Sequence, residues 1–203
     1  FIVSLPQMPA WAWRVPFYFG GVMCGVGIYI RCSLNETLHM DLIKQLTRSP
    51  VVTIAQEHKL VFIKVMALAA FVGIYIYTCN VWWVSFSIEN DYFSAHDARL
   101  LAMIGQAFVV VLIPCVSWLA DYRFHQKTIT LGLIGAVVVA PLIFVATVEQ
   151  SFALMVGIFF LYALVNACVT GVMFKYMADL FPVAVRFTGP RLSWSIAIAL
   201  FAG

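Results

Sequence analysis

Residues 128–177 read TITLGLIGAVVVAPLIFVATVEQSFALMVGIFFLYALVNACVTGVMFKYM. The stretch holds two apolar runs, 128–148 and 152–177, parted only by Glu149, Gln150 and Ser151. A bilayer core about 30 Å thick takes roughly 20 helical residues at 1.5 Å rise each. Each run is therefore long enough to cross a membrane, and a connection of three residues makes the two helices antiparallel neighbours.

Working outward, three more apolar runs of spanning length lie at 11–30, 64–88 and 100–120, and a further one opens near Leu192 and reaches Gly203. Composition agrees with this pattern. Apolar residues make up 64% of the 203 residues and charged residues 10%, against about 45–50% and 25% in soluble domains. The mean hydropathy is +0.98. So little charge cannot cover a water-facing surface, and the expected fold is an all-α, polytopic membrane bundle. The chain opens on Phe1 with neither Met nor a charged leader and stops inside an apolar run, so it reads as an interior fragment. No unit of 20–50 residues repeats along it.

The charges give the helices a direction. Alternate polar stretches hold Arg31, Lys44, Arg48, Lys59, Lys64, Arg123, Lys127, Lys175, Arg186 and Arg191, which is 10 of the 12 basic residues; only Arg14 and Arg99 fall on the other side. By the positive-inside rule the first set is cytoplasmic, including the long polar loop 31–59. The first, third and fifth helices then run from outside to inside. Trp11, Trp13, Tyr92, Phe93 and Trp118 sit near span ends, where amphipathic rings prefer the interface. Glycines such as Gly105, Gly132, Gly135, Gly157 and Gly171 lie within spans and suit close helix approach where lipid supplies no hydrophobic drive. Pro114 and Pro141 suggest kinks. Four of the five cysteines lie in apolar runs, at spacings that fit neither a metal site nor a disulfide framework, and read as small packing residues.

No catalytic set is visible. There is no Gly-rich phosphate loop and no pair of intramembrane Asp, and His39, His58, His96 and His125 fall far apart in loops. No enzyme activity, catalytic residue, metal, cofactor or nucleic-acid partner is expected. Asn35-Glu36-Thr37 matches a glycosylation sequon, but its loop is cytoplasmic by charge. Polar groups inside the spans are few. The second span carries Tyr75, Tyr77, Thr78 and Asn80, with Tyr75 and Thr78 three apart on one face; the third carries Gln106. The fifth carries Tyr162, Asn166 and Thr170 at spacing four, hence in one stripe. Polar stripes in lipid either join helices or line a wet cavity. Both readings stand at this point.

Several short motifs together resemble one family. Trp13-Arg14-Val15-Pro16-Phe17 resembles the Trp-Arg-Ile-Pro-Phe that opens the sixth helix of metabolite:proton symporters in the major facilitator superfamily. Arg31-Cys32-Ser33-Leu34-Asn35-Glu36-Thr37 is similar to the motif that closes it. Asp179-Leu180-Phe181-Pro182 with Arg186-Phe187-Thr188-Gly189 resembles the family's Glu-Leu-Phe-Pro-x-x-x-Arg-Tyr-Thr-Gly between helices ten and eleven. Thr170-Gly171-Val172-Met173 is similar to the proline/betaine branch. One motif departs from the pattern. Where the family has Gly-x-x-x-Asp-Arg-x-Gly-Arg-Arg, this chain has Ser117, Asp121, Tyr122, Arg123, Phe124, His125, Gln126 and Lys127.

The resemblance implies a span from the sixth to the eleventh helix of a twelve-helix transporter. Residues 1–30 would be the sixth helix of the amino-terminal half, 31–59 the cytoplasmic interdomain linker, and 60–203 a truncated carboxy-terminal bundle. It implies alternating access around a midplane site, with a small-molecule substrate and protons as partners besides the lipid bilayer. Tyr75, Tyr77, Asn80, Gln106 and Asn166 are the substrate-path candidates. Aromatic faces would suit a zwitterionic osmolyte by cation–π contact; hydroxyls and amides would suit an organic acid. Asp121, Arg123 and Arg186 are the candidate cytoplasmic gate, with an Asp121–Arg186 pair tying two helices in the closed state. The resemblance places the coupling carboxylates mostly in the other half. A second reading is a non-transporting sensor on the same scaffold, which the altered loop favours.

Overall fold

The computed structural model describes Trp11, residues 14–33, 49–121 and 125–201, apart from the side chains of Asp121 and His125. It divides into two compact units, Phe1–Gln45 and Leu46–Gly203. The described part of the first is one 19-residue helix, α1 (Val15–Ser33), with Arg31 in its last turn. Pro16 lies in its first turn, where a missing N–H breaks no helical hydrogen bond. The helix therefore lies a few residues downstream of the expected 11–30.

The second unit is a helical bundle. A short helix, α2 (Pro50–Glu57), starts on Pro50 within what reads as loop by composition. Next comes a continuous helical stretch, Lys59–Glu89. It consists of α3 (Lys59–Ile76), a π-helical turn (Tyr77–Trp82) and α4 (Trp83–Glu89). Then follow α5 (Ala95–Asp121), α6 (His125–Thr147), α7 (Phe152–Asp179) and α8 (Thr188–Phe201). Among the described residues there is no strand, and five helical stretches are long and apolar enough to cross a membrane. The expected all-α, multi-pass architecture is what the chain adopts.

The helices outrun the apolar runs that mark them, because backbone hydrogen bonding continues into polar residues wherever an end is capped. The stretch 89–99, expected as loop, already contains the start of α5. The Ser94 hydroxyl accepts from the Asp97 N–H at 3.1 Å and donates to Asp97 Oδ2 at 2.8 Å, satisfying an otherwise orphaned helix-end donor. Ser151 does the same for α7, accepting from the Leu154 N–H at 3.5 Å. Similarly, α8 begins at Thr188 rather than near Leu192. The turn before α7 closes through Gln150 in the left-handed region, φ 50°.

At the centre of the bundle lies α7, packed along both α5 and α6, while α3 packs along α8. Two apolar clusters fill opposite ends. One gathers Trp83, Leu101, Ile143, Phe159 and Tyr162; the other gathers Ile54, Val65, Ile129, Met173, Phe181 and Val185. Large apolar side chains such as Val110, Val111, Leu131 and Val137 point outward, as lipid rather than water requires. Of the cysteines in the second unit, Cys79 is buried, Cys168 half-buried and Cys115 exposed.

Glycine makes the contacts along α7 possible. A Cβ on Gly132 would sit 2.6 Å from Val169 Cγ2 and 3.1 Å from the Val169 backbone nitrogen; one on Gly171 would sit 2.6 Å from the Ser117 hydroxyl. At Gly157 a Cβ would meet nothing within 4 Å. Replacing Gly132 by Ala forces α6 off α7 and is expected to destabilise the bundle by about 1–3 kcal/mol. Gly157→Ala is expected to be neutral or slightly stabilising. Unfolding in mixed micelles compares the two directly.

Candidate functional site

The polar stripe of α7 faces inward. Asn166 is buried, and so is Tyr162. Helical spacing of four stacks Tyr162, Asn166 and Thr170 one turn above another. Asn166 Nδ2 donates to the Tyr162 hydroxyl at 2.9 Å. The Thr170 hydroxyl donates to the Asn166 backbone carbonyl at 2.8 Å and also to Asn166 Oδ1.

The partner of this stripe comes from the π turn. In a π turn the hydrogen bonds run from i+5 to i, and here the Trp83 N–H reaches the Thr78 carbonyl. Winding is looser than in an α-helix, so neighbouring residues rotate less and Cys79 and Asn80 both turn inward. Asn80 Nδ2 then donates across the bundle to the Tyr162 hydroxyl. The Tyr75 and Tyr162 rings stand 5.4 Å apart, tilted by 34°. Below the turn, Trp83 Nε1 donates to the Thr147 hydroxyl at 2.8 Å, which donates to the Ile143 carbonyl at 2.7 Å. The Trp83 ring meets Phe159 edge-on at 4.8 Å.

This is a neutral, buried node with spare hydrogen-bonding capacity. Asn80 Oδ1, the Tyr75 hydroxyl and the Ser87 hydroxyl have no hydrogen-bond partner among the described residues. Buried polar atoms are nearly always paired; Asn80 Oδ1 and the Tyr75 hydroxyl are open beside Tyr162, whereas Ser87 lies about two turns further along the helix.

Of the five substrate-path candidates, the structure brings Tyr75, Asn80 and Asn166 together around Tyr162. Tyr77 points away, 44% exposed, and Gln106 on α5 is also exposed. Thr78, placed with Tyr75 by a spacing of three, is only half-buried, because the π turn changes the register between them. Tyr162 was visible in the stripe without its role as the shared acceptor. Nothing in the sequence pairs Trp83 with Thr147, although a Trp N–H in an apolar span regularly seeks a partner.

At the candidate gate, Arg123 and the Asp121 side chain lie outside the described residues. Arg186 Nε donates to the Phe181 carbonyl at 3.4 Å and so holds the turn between α7 and α8. Ser117, which stands where the resembled motif has Gly, donates to the Gly171 carbonyl at 3.0 Å. That bond fastens α5 to α7 at the one point where Gly171 lets them close.

Trp83→Phe removes the N–H while keeping the ring contact with Phe159. It is expected to cost about 0.5–2 kcal/mol, and to cost almost nothing more in a Thr147→Val background. A double-mutant cycle on unfolding in micelles measures this.

Comparison with known proteins follows the same outline. The chain is 26% identical over 208 residues to the inner membrane metabolite transport protein YhjE of Escherichia coli strain K12, covering 97% of this chain and 46% of that protein. It is 25% identical over 217 residues to the proline/betaine transporter of Salmonella typhimurium, covering 100% of this chain and 43% of that protein. It is 24% identical over 196 residues to the citrate-proton symporter of Klebsiella pneumoniae, covering 95% of this chain and 44% of that protein. The chain thus spans less than half the length of each of these relatives. No protein-family profile and no solved structure matches it. All three relatives are named as transport proteins. Along nearly its whole length the chain is similar to metabolite transporters, and among the described residues it is all-α with five helical stretches long and apolar enough to cross a membrane.

Proposed function

We propose that the chain works within a secondary transporter that moves a small polar metabolite across the inner membrane by alternating access, coupled to protons. The observation that carries this reading is the alignment of 95–100% of the chain with transporters of an osmolyte and of an organic acid, one of them a proton symporter. The node supports it from the physical side. Tyr75, Asn80 and Asn166 offer hydroxyl, amide and aromatic surfaces without a fixed charge, which suits a zwitterion or a carboxylate. On this reading Tyr77 and Gln106, outward in the bundle, face the other wall of the path. Proton binding is assigned mostly to the other half, where the resemblance puts the coupling carboxylates. We also assign 1–30 to the end of the amino-terminal half, 31–59 to a cytoplasmic linker, and 60–203 to the carboxy-terminal bundle.

Asp121, Arg123 and Arg186 remain the proposed cytoplasmic gate. The Ser117–Gly171 bond, which clamps α5 to α7 beside it, is the observation that favours a sensor on the same scaffold.

Uptake of proline, betaine and citrate by the full-length protein, with and without a pH gradient, separates these readings. The proposal expects saturable uptake of one of them that collapses when the gradient is dissipated. Asn80→Ala should lower the uptake of that solute by about tenfold, the scale of one hydrogen bond left unmade at a buried site. Uptake indifferent to the gradient contradicts proton coupling. Binding without uptake identifies the sensor.

A further inference from the structure

A slot of about 300 Å³ lies where α2 meets the first turns of α3 and α8. Two helices build it with the same spacing. Val51, Ile54 and Ala55 line it from α2, and Lys59, Phe62 and Ile63 line it from α3. Each set stands at positions i, i+3 and i+4 and so on one face of its helix. Leu192 of α8 completes the lining. The chain turns between α2 and α3 at His58 (φ −125°, ψ 25°), which lets the two faces look at one another. Ile54 is buried, whereas Val51 is 48% and Ile63 52% exposed, so the slot has a closed wall and an open side. Lys59 is the one charged member of the described lining. Among the described residues its ammonium forms no ion pair. The nearest carboxylate along the chain, Glu57, ends α2 outside this lining.

We propose that this slot holds an acyl chain of an anionic phospholipid, with the headgroup phosphate on Lys59. Depth is the first reason. Lys59 is the first residue of the helical stretch Lys59–Glu89, which is long and apolar enough to cross a membrane. Its ammonium therefore lies where the span leaves the hydrocarbon, at the level of lipid headgroups. Phe62 and Ile63 follow one turn further into the span. A phospholipid presents its phosphate and its chain in that same order. Charge is the second reason. Lys59 belongs to the basic set that charge asymmetry assigns to the cytoplasmic face, where anionic lipids concentrate, and the described lining holds nothing that repels a phosphate. A free anion would leave the apolar walls uncovered, and a neutral apolar guest would leave the ammonium unused. The site is independent of the Tyr162 node and needs no transport activity to be tested.

Thermal unfolding of the purified full-length protein in non-ionic detergent provides the test. Dioleoyl phosphatidylglycerol is titrated against dioleoyl phosphatidylcholine, with inorganic phosphate as a third arm. The proposal expects saturable stabilisation by both lipids, reached at about fivefold lower concentration with phosphatidylglycerol, the scale of one lysine beside an anionic headgroup. It expects none from phosphate alone. Lys59→Gln, a change at an exposed side chain, should bring the phosphatidylglycerol titration onto that of phosphatidylcholine, and Lys59→Arg should keep the preference. Ala55→Trp, which fills the slot, should remove the saturable response to both lipids. Equal responses to the two lipids in the unmodified protein would overturn the proposal without reference to any variant. So would stabilisation by inorganic phosphate, a preference that survives Lys59→Gln, or a lipid response that a folded Ala55→Trp protein retains in full.

Discussion

The hydroxyl of Tyr162 accepts from Asn80 across the bundle and from Asn166 on its own helix, and most of the second unit is arranged so that it can. Lipid offers no alternative partner for an amide, so a buried Asn on one helix must find its acceptor on another or remain unpaired. That requirement fixes which face of α7 turns inward and holds the π turn against it. Each such bond is modest, about 0.6 kcal/mol on average inside membrane bundles. Its directionality matters more than its strength, since apolar helices in lipid can otherwise rotate against one another at little cost.

Packing then follows from the absence of side chains. Gly132, Gly135 and Gly171 allow Val169, Val165 and Ser117 to close on the helices they face, and the gain is dispersion contact rather than exclusion of water. Trp83 extends the same logic to α6, with its ring against Phe159 and its N–H on Thr147. Among the described residues the bundle is thus held by one polar node, the Trp83–Thr147 and Ser117–Gly171 hydrogen bonds and a few close glycine contacts. Such an assembly keeps its register yet leaves a central polar position with unspent capacity at Asn80 Oδ1 and Tyr75.

Much of this was legible in the amino-acid sequence. Spans longer than a bilayer is thick, a three-residue connection at 149–151 and the asymmetry of lysine and arginine were enough for an all-α membrane bundle, and Tyr162, Asn166 and Thr170 announced their stripe by a spacing of four. Helix ends were less legible, because caps such as Ser94 extend helices into polar residues that hydropathy assigns to loops. The π turn left no periodic mark at all. Tyr75 and Asn80, five positions apart, look unrelated on an α-helical wheel, and only the wider turn brings the two to one side while Tyr77 faces outward. Gln106 shows the converse. A polar residue in a span draws attention, but nothing in a single sequence tells whether its face is inward.

The account stands or falls on Tyr162 being an acceptor shared between helices rather than a tyrosine that merely fits. A double-mutant cycle between Asn80→Ala and Tyr162→Phe, read as unfolding free energy in mixed micelles, measures that sharing alone. The account predicts a coupling of about 0.5–1.5 kcal/mol, with Tyr162→Phe costing far less once Asn80 is gone. Additivity within about 0.3 kcal/mol would contradict it and leave the π turn without the bond that holds it to α7.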